Sequence, residues 1–300
     1  MERLEKLLRE RCPELELRRD EPMWKHTSFR IGGPAALMAL PGTVGEAKTA
    51  VKTARELGIE PFFLGNGSNL LVADEGYPGF AVKLAGTFDE VTVAGRGLEA
   101  GSAVLLSRLS KAALEEGLTG LEFAGGIPGS VGGAITMNAG AYGGEMAQVL
   151  EEADVLDEAG ECRTLPVSEC GLGYRTSIFS GRRCLILKAR FCLEPGDPAA
   201  VKARMEELAA KRREKQPLEY PSAGSMFKRP PGHFAAALID QCGLKGLTVG
   251  GAQVSEKHAG FVVNRGGATC ADVLELVRQV QERVLRNTGV ELEMEVKVLK

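Results

Sequence analysis

Three residues in well-separated segments have side chains that could take part in a reaction. Ser225 lies in "PSAGSMFKRP", Arg175 in "GYRTSIF" and Glu295 in "ELEMEVKVL". A serine hydroxyl can close a turn, bind a phosphate, attack an acyl group or donate a proton, but Ser225 is not in the G-x-S-x-G string of a nucleophile elbow. The local sequence therefore favours a turn or cap residue, while a Ser-His dyad with His233 or His258 stays open.

Arg175 and Glu295 are ambiguous in the same way. A guanidinium fork suits a carboxylate, although a lone arginine more commonly forms a surface salt bridge. Alternation in the last segment places Glu295 on one face of a strand with two other glutamates, and such a face is usually solvated. Spacing alone does not assign a role to either residue.

A short polar turn between apolar flanks, "LGNGSNLLV", could bind a phosphate. Two glycines and three small polar side chains can present several backbone N–H groups to the oxygens of an anion. A tight hairpin turn explains the same pattern about equally well. The residues concerned are Gly65, Asn66, Gly67, Ser68 and Asn69.

The segment "AGGIPGSVGGAITMNAGAYGGE", residues 124–145, is more specific. Eight of the chain's 38 glycines lie between residues 125 and 144. Glycine allows close backbone approach, and the serine can cap a helix. The apolar residues among the glycines argue against a merely flexible loop, so we predict a cradle for a pyrophosphate. Its residues are Gly125, Gly126, Ile127, Pro128, Gly129 and Ser130.

"GRGLEA", residues 95–100, matches a dinucleotide-binding fingerprint. A fingerprint turn would lead directly into a helix, whereas we expect the next helix to start only at Ser102. Two short strands around a Gly-Arg-Gly turn describe this stretch better.

Composition narrows the class of protein. The formal net charge of −3 comes from 37 cations and 40 anions without a basic block, so we expect no nucleic-acid partner. The charged amphipathic start and the lack of a long apolar run predict a cytoplasmic protein with no membrane partner. Seven widely spaced cysteines and three scattered histidines favour neither a disulfide framework nor a metal site, and we expect no metal.

Helical and strand-like stretches alternate along the chain, which predicts an α+β fold. Helices are expected at residues 2–11, 43–57, 102–115, 233–242 and 270–287, with a final strand in "ELEMEVKVL". A long charged helix bracketed by prolines follows "EPGDP" and marks a predicted domain boundary near residue 195.

Six segments, taken in order, resemble one family. They are "HTSFRIGGPA", "LGNGSNLLV", "GLEFAGGIPGSVGGAITMNAGAYGGE", "GYRTSIF", "KQPLEYPSAGSMFKRP" and "GVELEMEV". The family is UDP-N-acetylenolpyruvoylglucosamine reductase, whose first part is similar to the two-lobed FAD-binding domain of the vanillyl-alcohol-oxidase type. The resemblance implies an FAD-binding domain at residues 1–194, with lobes of about 1–90 and 91–194. A smaller α+β substrate domain would follow at residues 195–300.

The resemblance also implies a reaction. NADPH reduces FAD, and hydride passes from flavin N5 to the enolpyruvyl group of UDP-N-acetylglucosamine enolpyruvate, giving UDP-N-acetylmuramate for peptidoglycan. By motif position, Ser225 would supply the proton, while Arg175 and Glu295 would stabilise the enolate that develops beside the carboxylate. Two rivals remain: another flavin oxidase or dehydrogenase of the superfamily, and a non-catalytic nucleotide-binding protein.

The same resemblance places Tyr174, Lys215 and Arg229 at the substrate or nucleotide. One branch of the family carries an inserted segment with a tyrosine after the arginine motif. Here "YRTSIFSGRRCLILKARF" leaves no room for it, so the chain is similar to the short-loop branch.

Overall fold

The computed structural model describes residues 1–94, 97–180 and 184–300. The chain forms two compact units. The first comprises Met1–Arg19, Leu37–Asn66 and Gly79–Lys211, and the second comprises Asp20–Ala36, Gly67–Pro78 and Arg212–Lys300.

The helices of the described residues are α1 (Glu2–Arg11), α2 (Val44–Glu56), α3 (Leu106–Glu115), α4 (Val131–Thr136), α5 (Pro198–Lys215), α6 (Ala235–Gln241) and α7 (Cys270–Thr288). No helix in this part of the chain is long and apolar enough to span a bilayer.

Most of the strands are short. They are β1 (Glu16–Pro22), β2 (Pro34–Leu40), β3 (Phe62–Phe63), β4 (Leu70–Val72), β5 (Tyr77–Val82), β6 (Val91–Ala94), β7 (Gly97–Gly101), β8 (Leu118–Thr119), β9 (Gly140–Ala141), β10 (Gly144–Glu145), β11 (Leu150–Leu156), β12 (Cys162–Pro166), β13 (Leu185–Cys192), β14 (Glu194–Pro195), β15 (Ser222–Ser225), β16 (Thr248–Val249), β17 (Ala252–Val254), β18 (Phe261–Asn264) and β19 (Lys297–Leu299).

The first unit is built around an antiparallel sheet in the order β12-β11-β13-β7-β6. Helix α4 contacts β13 and β7. Apolar side chains of the sheet and of helices α3 and α4 form one buried core, which includes Leu98, Leu106, Val131, Ile135 and Phe191. A second sheet in the order β1-β2-β5-β3 lies mostly in this unit, and the core that contains Phe80 and Val82 from β5 also takes in residues of helices α1 and α2. Burial of these apolar faces fixes the helices against the sheets.

The second unit contains an antiparallel sheet in the order β15-β18-β17-β16 and a parallel pair of β19 with β4. Its core joins helix α7 to the sheet through residues such as Val273, Leu276, Val254 and Val262. The sheet therefore gives β15, which ends at Ser225, a fixed position within this unit.

Most of the elements predicted from the sequence are confirmed, with three differences. Helix α3 starts at Leu106 rather than at a Ser102 cap, so that prediction was wrong. The Ser102 N–H donates to the Leu187 carbonyl, and the Ser102 carbonyl accepts from Gly132 N–H. These bonds hold Ser102 in a turn between β7 and the helix, so the helix begins about one turn later than predicted.

The second difference concerns "LGNGSNLLV". A tight hairpin is wrong, because β3 pairs in parallel with β5, and β4 pairs in parallel with β19. The turn therefore connects two different sheets instead of closing one ribbon. The third difference is that the final strand is reduced to β19, with Met294 forming an isolated bridge to Phe227.

The two-strand interpretation of "VTVAGRGLEAG" is confirmed. Strands β6 and β7 pair antiparallel, with Ala94 opposite Gly97, so Gly97 begins a strand and not a helix. Residues 95 and 96 of the predicted turn lie outside the described residues.

Helix α7 begins with a capping box that provides a test of local stability. The Thr269 hydroxyl accepts from Asp272 N–H at 3.0 Å, and the Asp272 carboxylate accepts from Thr269 N–H at 3.0 Å. The latter bond holds the pKa of Asp272 below its usual 3.8. The ionised carboxylate is therefore favoured in the folded state, and its contribution to stability is lost as pH falls through the lowered pKa.

We expect Asp272→Ala to lower the free energy of unfolding at pH 7, and the difference from wild type to shrink as pH falls below about 3.8. Urea unfolding at a series of pH values measures it. Glu14→Ala, which removes an exposed carboxylate, is the control for loss of charge. A deficit independent of pH would contradict the role of the ionised group.

Candidate active site

The cradle segment, residues 125–130, is held by backbone hydrogen bonds to the strand-like connection that precedes α3. Leu106 N–H donates to the Gly129 carbonyl at 3.0 Å, and Val131 N–H donates to the Val104 carbonyl at 2.8 Å. Ser130 is the residue before α4, but its side chain does not cap that helix. The peptide on both sides of Ser130 is therefore fixed while its hydroxyl is left for another partner.

The turn at Gly65 and Asn66 meets this segment within the first unit. The Asn66 side-chain amide donates to the Pro128 carbonyl at 2.5 Å. A Cβ atom at Gly65 would lie 2.8 Å from Ser130 Oγ and 3.8 Å from Gly133 N. The structure thus brings together two segments that the sequence predicted separately as phosphate-binding.

Ser130 is 2% exposed, and its buried Oγ makes no hydrogen bond with any of the described residues. Buried hydroxyls in folded proteins almost always have a partner. An unsatisfied hydroxyl beside a glycine turn indicates a place for a polar ligand atom.

The other residues of the predicted turn belong to the second unit. Gly67 has a φ of +60°, and a Cβ there would clash with the His26 carbonyl, so glycine is required. The Asn69 side-chain amide donates to the Glu295 carbonyl at 3.2 Å, and the Asn69 carbonyl accepts from Lys297 N–H at 3.1 Å. Asn69 therefore holds the last segment of the chain, a contact that the sequence did not reveal.

Arg175 occupies the tip of a tight loop in the first unit, the arginine loop, residues 173–176. The loop is closed by hydrogen bonds from Gly173 N–H to the Thr176 carbonyl and from Thr176 N–H to the Gly173 carbonyl. Arg175 has a φ of +54°, which is unfavourable for a residue with a side chain. Its Nη2 donates to the Gly140 carbonyl at 3.3 Å, and its guanidinium lies 5.4 Å from the exposed Tyr174 ring.

Ser225 and Glu295 lie on neighbouring chain segments of the second unit. Ser225 pairs with Phe261 in the sheet after a register shift that begins at Ser222. The irregularity at the strand end leaves Ser225 exposed. On the other side, Glu295 N–H donates to the Met226 carbonyl at 2.9 Å, so the half-buried Glu295 is held beside the residue that follows the serine.

The remaining predicted contacts are exposed. Lys215 is the last residue of α5. Arg229 stacks on Phe234, with its guanidinium 4.0 Å from the ring centre, and donates through Nε to the His233 carbonyl at 3.4 Å. Arg175 and Tyr174 thus belong to the first unit, and Ser225, Glu295, Lys215 and Arg229 to the second.

One residue of this region was not singled out from the sequence. Asn138 follows α4, is 2% exposed, and donates through its side-chain amide to the Gly173 carbonyl of the arginine loop at 3.1 Å. In the sequence, Asn138 could have been noticed as a polar amide between the apolar residues Met137 and Ala139, because a polar side chain among buried apolar neighbours needs hydrogen-bond partners.

Known proteins resemble this chain over most of its length. Residues 216–299 match the C-terminal domain of UDP-N-acetylenolpyruvoylglucosamine reductase, and residues 35–166 match an FAD binding domain. These matches confirm the predicted fold class, an FAD-binding domain followed by a smaller α+β domain.

Relatives named UDP-N-acetylenolpyruvoylglucosamine reductase include one from Alkaliphilus oremlandii, 49% identical over 93% of this chain and 92% of the relative. Another, from Clostridium perfringens, is 48% identical over 98% of this chain and 96% of the relative. The crystal structure of the reductase from Thermus caldophilus superimposes with a TM-score of 0.82 at 39% identity, covering 96% of this chain and 99% of that one. This chain therefore belongs to the UDP-N-acetylenolpyruvoylglucosamine reductase family of FAD-dependent oxidoreductases.

Proposed function

We propose that this chain reduces UDP-N-acetylglucosamine enolpyruvate to UDP-N-acetylmuramate, a peptidoglycan precursor, with NADPH as hydride donor and Ser225 as proton donor. Family membership over both domains supports the overall reaction. The observation that supports the serine assignment is an exposed Ser225 next to the Met226 carbonyl, which accepts the backbone N–H of Glu295.

The residues of the first unit fit the pyrophosphate of FAD. A diphosphate has only acceptor oxygens to offer, and the buried Ser130 hydroxyl can donate to one of them. Gly65 leaves space beside that hydroxyl which any Cβ would fill. We assign Gly65, Asn66 and residues 125–130 to this group, and Gly67, Ser68 and Asn69 to the continuation of the same turn.

Held by Ser130 and the turn at Gly65, FAD in its reduced form would supply hydride for the terminal carbon of the enolpyruvyl vinyl ether. The neighbouring carbon then carries enolate character next to the substrate carboxylate, and it must gain a proton to complete the reduction. A hydroxyl is a weak acid, but a strongly basic carbon can take its proton when the two are held within reach. Ser225 Oγ is the proposed source of that proton.

Arg175 and Glu295 are proposed to act on the substrate carboxylate. The guanidinium is permanently charged and can bind both carboxylate oxygens. A protonated Glu295 would donate a hydrogen bond to the developing enolate, which adds stabilisation where negative charge accumulates. Hydrogen bonds fix the backbone at both residues. Two bonds close the arginine loop around Arg175, and the Glu295 N–H donates to the Met226 carbonyl.

Tyr174, Lys215 and Arg229 are proposed contacts for the nucleotide portions of substrate or NADPH. Their exposed aromatic and cationic side chains suit a base and phosphates respectively. We further infer that residues 1–194 serve as the FAD-binding part and residues 195–300 as the substrate-binding part. A cytoplasmic location is inferred from the proposed substrates, since nucleotide sugars and NADPH are cytoplasmic metabolites.

Purified protein should be yellow or take up FAD, and it should consume NADPH only slowly until the enolpyruvyl sugar nucleotide is added. Visible spectra and NADPH absorbance measure both. Colourless protein that fails to take up FAD would contradict the proposal. Rapid NADPH-dependent reduction of O2 without response to the sugar nucleotide would favour an oxidase.

Gly65→Ala should weaken FAD binding by at least about tenfold, which corresponds to about 1.4 kcal/mol, because the new methyl group would occupy the space beside Ser130 Oγ. Flavin titration of the apoprotein measures the dissociation constant. Gly45→Ala is the matched control, since a Cβ there meets nothing closer than Thr43 Oγ1 at 4.0 Å. Equal affinity of the two variants would refute the assignment.

Ser225→Ala should leave flavin reduction by NADPH unchanged and slow substrate reduction by roughly two to four orders of magnitude, because only the second step needs the proton. Stopped-flow absorbance separates the two half-reactions. Ser222→Ala, in the same strand, is the control. If Ser225→Ala turns over normally, the proton comes from another group.

A further inference from the structure

We propose that Asn138 is a positioning residue for Arg175, and that its side-chain amide holds the arginine loop in the conformation that reaction requires. The inference rests on the proposed role of Arg175. It concerns residues of the first unit alone, and it adds a residue that touches neither substrate nor cofactor in the proposed reaction.

The arginine loop needs external support because its conformation is unfavourable by itself. Arg175 has a φ of +54°, and such a residue persists only where surrounding contacts determine its backbone. Asn138, which donates to the loop, also has a positive φ of +40°, and Tyr142, four residues later in the chain, has a φ of +54°. Strained backbone is thus concentrated around Arg175, as is typical of functional sites.

Several bonds connect the loop and its flank to the support segment, residues 130–140. Ser177 Oγ and Ser180 Oγ donate to the Thr136 carbonyl at 2.7 and 2.9 Å. These two bonds lie after the loop, so they fix its exit. The entry of the loop is held by Asn138, whose Nδ2 donates to the Gly173 carbonyl.

The Asn138 side chain uses both ends of its amide. Its Oδ1 accepts from Ala147 N–H at 2.9 Å while its Nδ2 donates to the Gly173 carbonyl at 3.1 Å. An N–H can only donate and a carbonyl can only accept, so these partners fix the orientation of the amide. An aspartate would place an acceptor against the Gly173 carbonyl. A glycine would leave the Ala147 N–H without its acceptor and would remove one of the two donors to the Gly173 carbonyl, the other being Thr176 N–H.

The amide also links the backbone of the arginine loop to the segment whose Gly140 carbonyl accepts from the guanidinium. Gly173 lies two residues before Arg175, and Gly140, whose carbonyl accepts from Arg175 Nη2, lies two residues after Asn138. Release of the amide would therefore loosen the backbone of the loop and move it relative to the carbonyl that its arginine contacts. Small displacements of a charged group from the reacting atoms lower rates strongly.

Two substitutions test this assignment. Asn138→Gly removes the amide and tolerates the positive φ, and Asn138→Asp keeps the shape but loses the donor. For both we expect kcat/KM for the enolpyruvyl sugar nucleotide to fall by roughly tenfold to a hundredfold. FAD content and the rate of flavin reduction by NADPH should stay within about twofold of wild type. Thr87→Ala, which removes a side-chain bond to the Gly42 carbonyl, is the control.

A direct measurement on the loop accompanies the kinetics. Hydrogen exchange of Thr176 N–H, which closes the loop onto Gly173, should speed up in Asn138→Gly and stay unchanged in Thr87→Ala. Exchange at wild-type rate in Asn138→Gly would overturn the proposal, whatever the activity of that variant.

A double-mutant cycle with Arg175→Lys separates positioning from general stability. If Asn138 acts through Arg175, Asn138→Gly should cost much less in the Arg175→Lys background than in wild type. An equal cost in both backgrounds would overturn the positioning role.

The cycle also distinguishes the two levels of inference. Normal substrate reduction by Asn138→Gly beside an impaired Arg175→Lys enzyme would overturn only the positioning role. Normal substrate reduction by Arg175→Lys would overturn the role of Arg175, and the purpose assigned to Asn138 with it.

Discussion

The first unit depends on how closely the backbone of the support segment approaches its neighbours. A Cβ atom at Gly132 would lie 2.9 Å from Ser102 Cβ, and one at Gly140 would lie 2.7 Å from the Gly144 carbonyl. These distances are too short for any side chain, so the six-residue helix α4 and its continuation can sit there only as glycine-rich backbone. One end of the segment presents Ser130 to the Gly65 turn, and the other supplies the carbonyls and the amide that hold the arginine loop. A single packing constraint therefore places both the residues proposed to bind the cofactor and Arg175.

In the second unit, strand pairing and backbone hydrogen bonds position the residues proposed for the reaction. Ser225 is placed by the end of β15, where the register shift interrupts the pairing with β18, and Glu295 is placed by its N–H bond to Met226. Asn69 adds a side-chain bond to the Glu295 carbonyl just before β19 pairs with β4. Backbone bonds therefore contribute to the position of both residues, through the pairing of Ser225 with Phe261 and the Glu295 N–H bond to the Met226 carbonyl.

Much of the fold was predictable from local patterns. Helical periodicity predicted α2, and the prolines at both ends of a long charged stretch predicted α5. Alternation predicted which side chains of the last segment are more buried. The errors arose where long-range bonds decided the structure. Ser102 has the side chain of a helix cap, but its backbone is bonded to Leu187 and Gly132. The turn at residues 65–69 lies between β3 and β4, and each of these strands pairs in parallel with a strand that the residues of the turn do not specify.

The family and the FAD-binding class could be predicted from the amino-acid sequence alone, because ordered segments of unusual composition carry that information directly. Which of those segments meet became known from the folded chain: Gly65 lies beside Ser130, the arginine loop is bonded to Asn138, and Asn69 is bonded to Glu295. A hydrogen bond between residues 35 or 226 positions apart depends on the packing of whole elements, because the side chain at either end could bond many partners. Asn138 is an example: the sequence shows that this residue has an amide side chain, but not that the amide bonds Gly173 and Ala147.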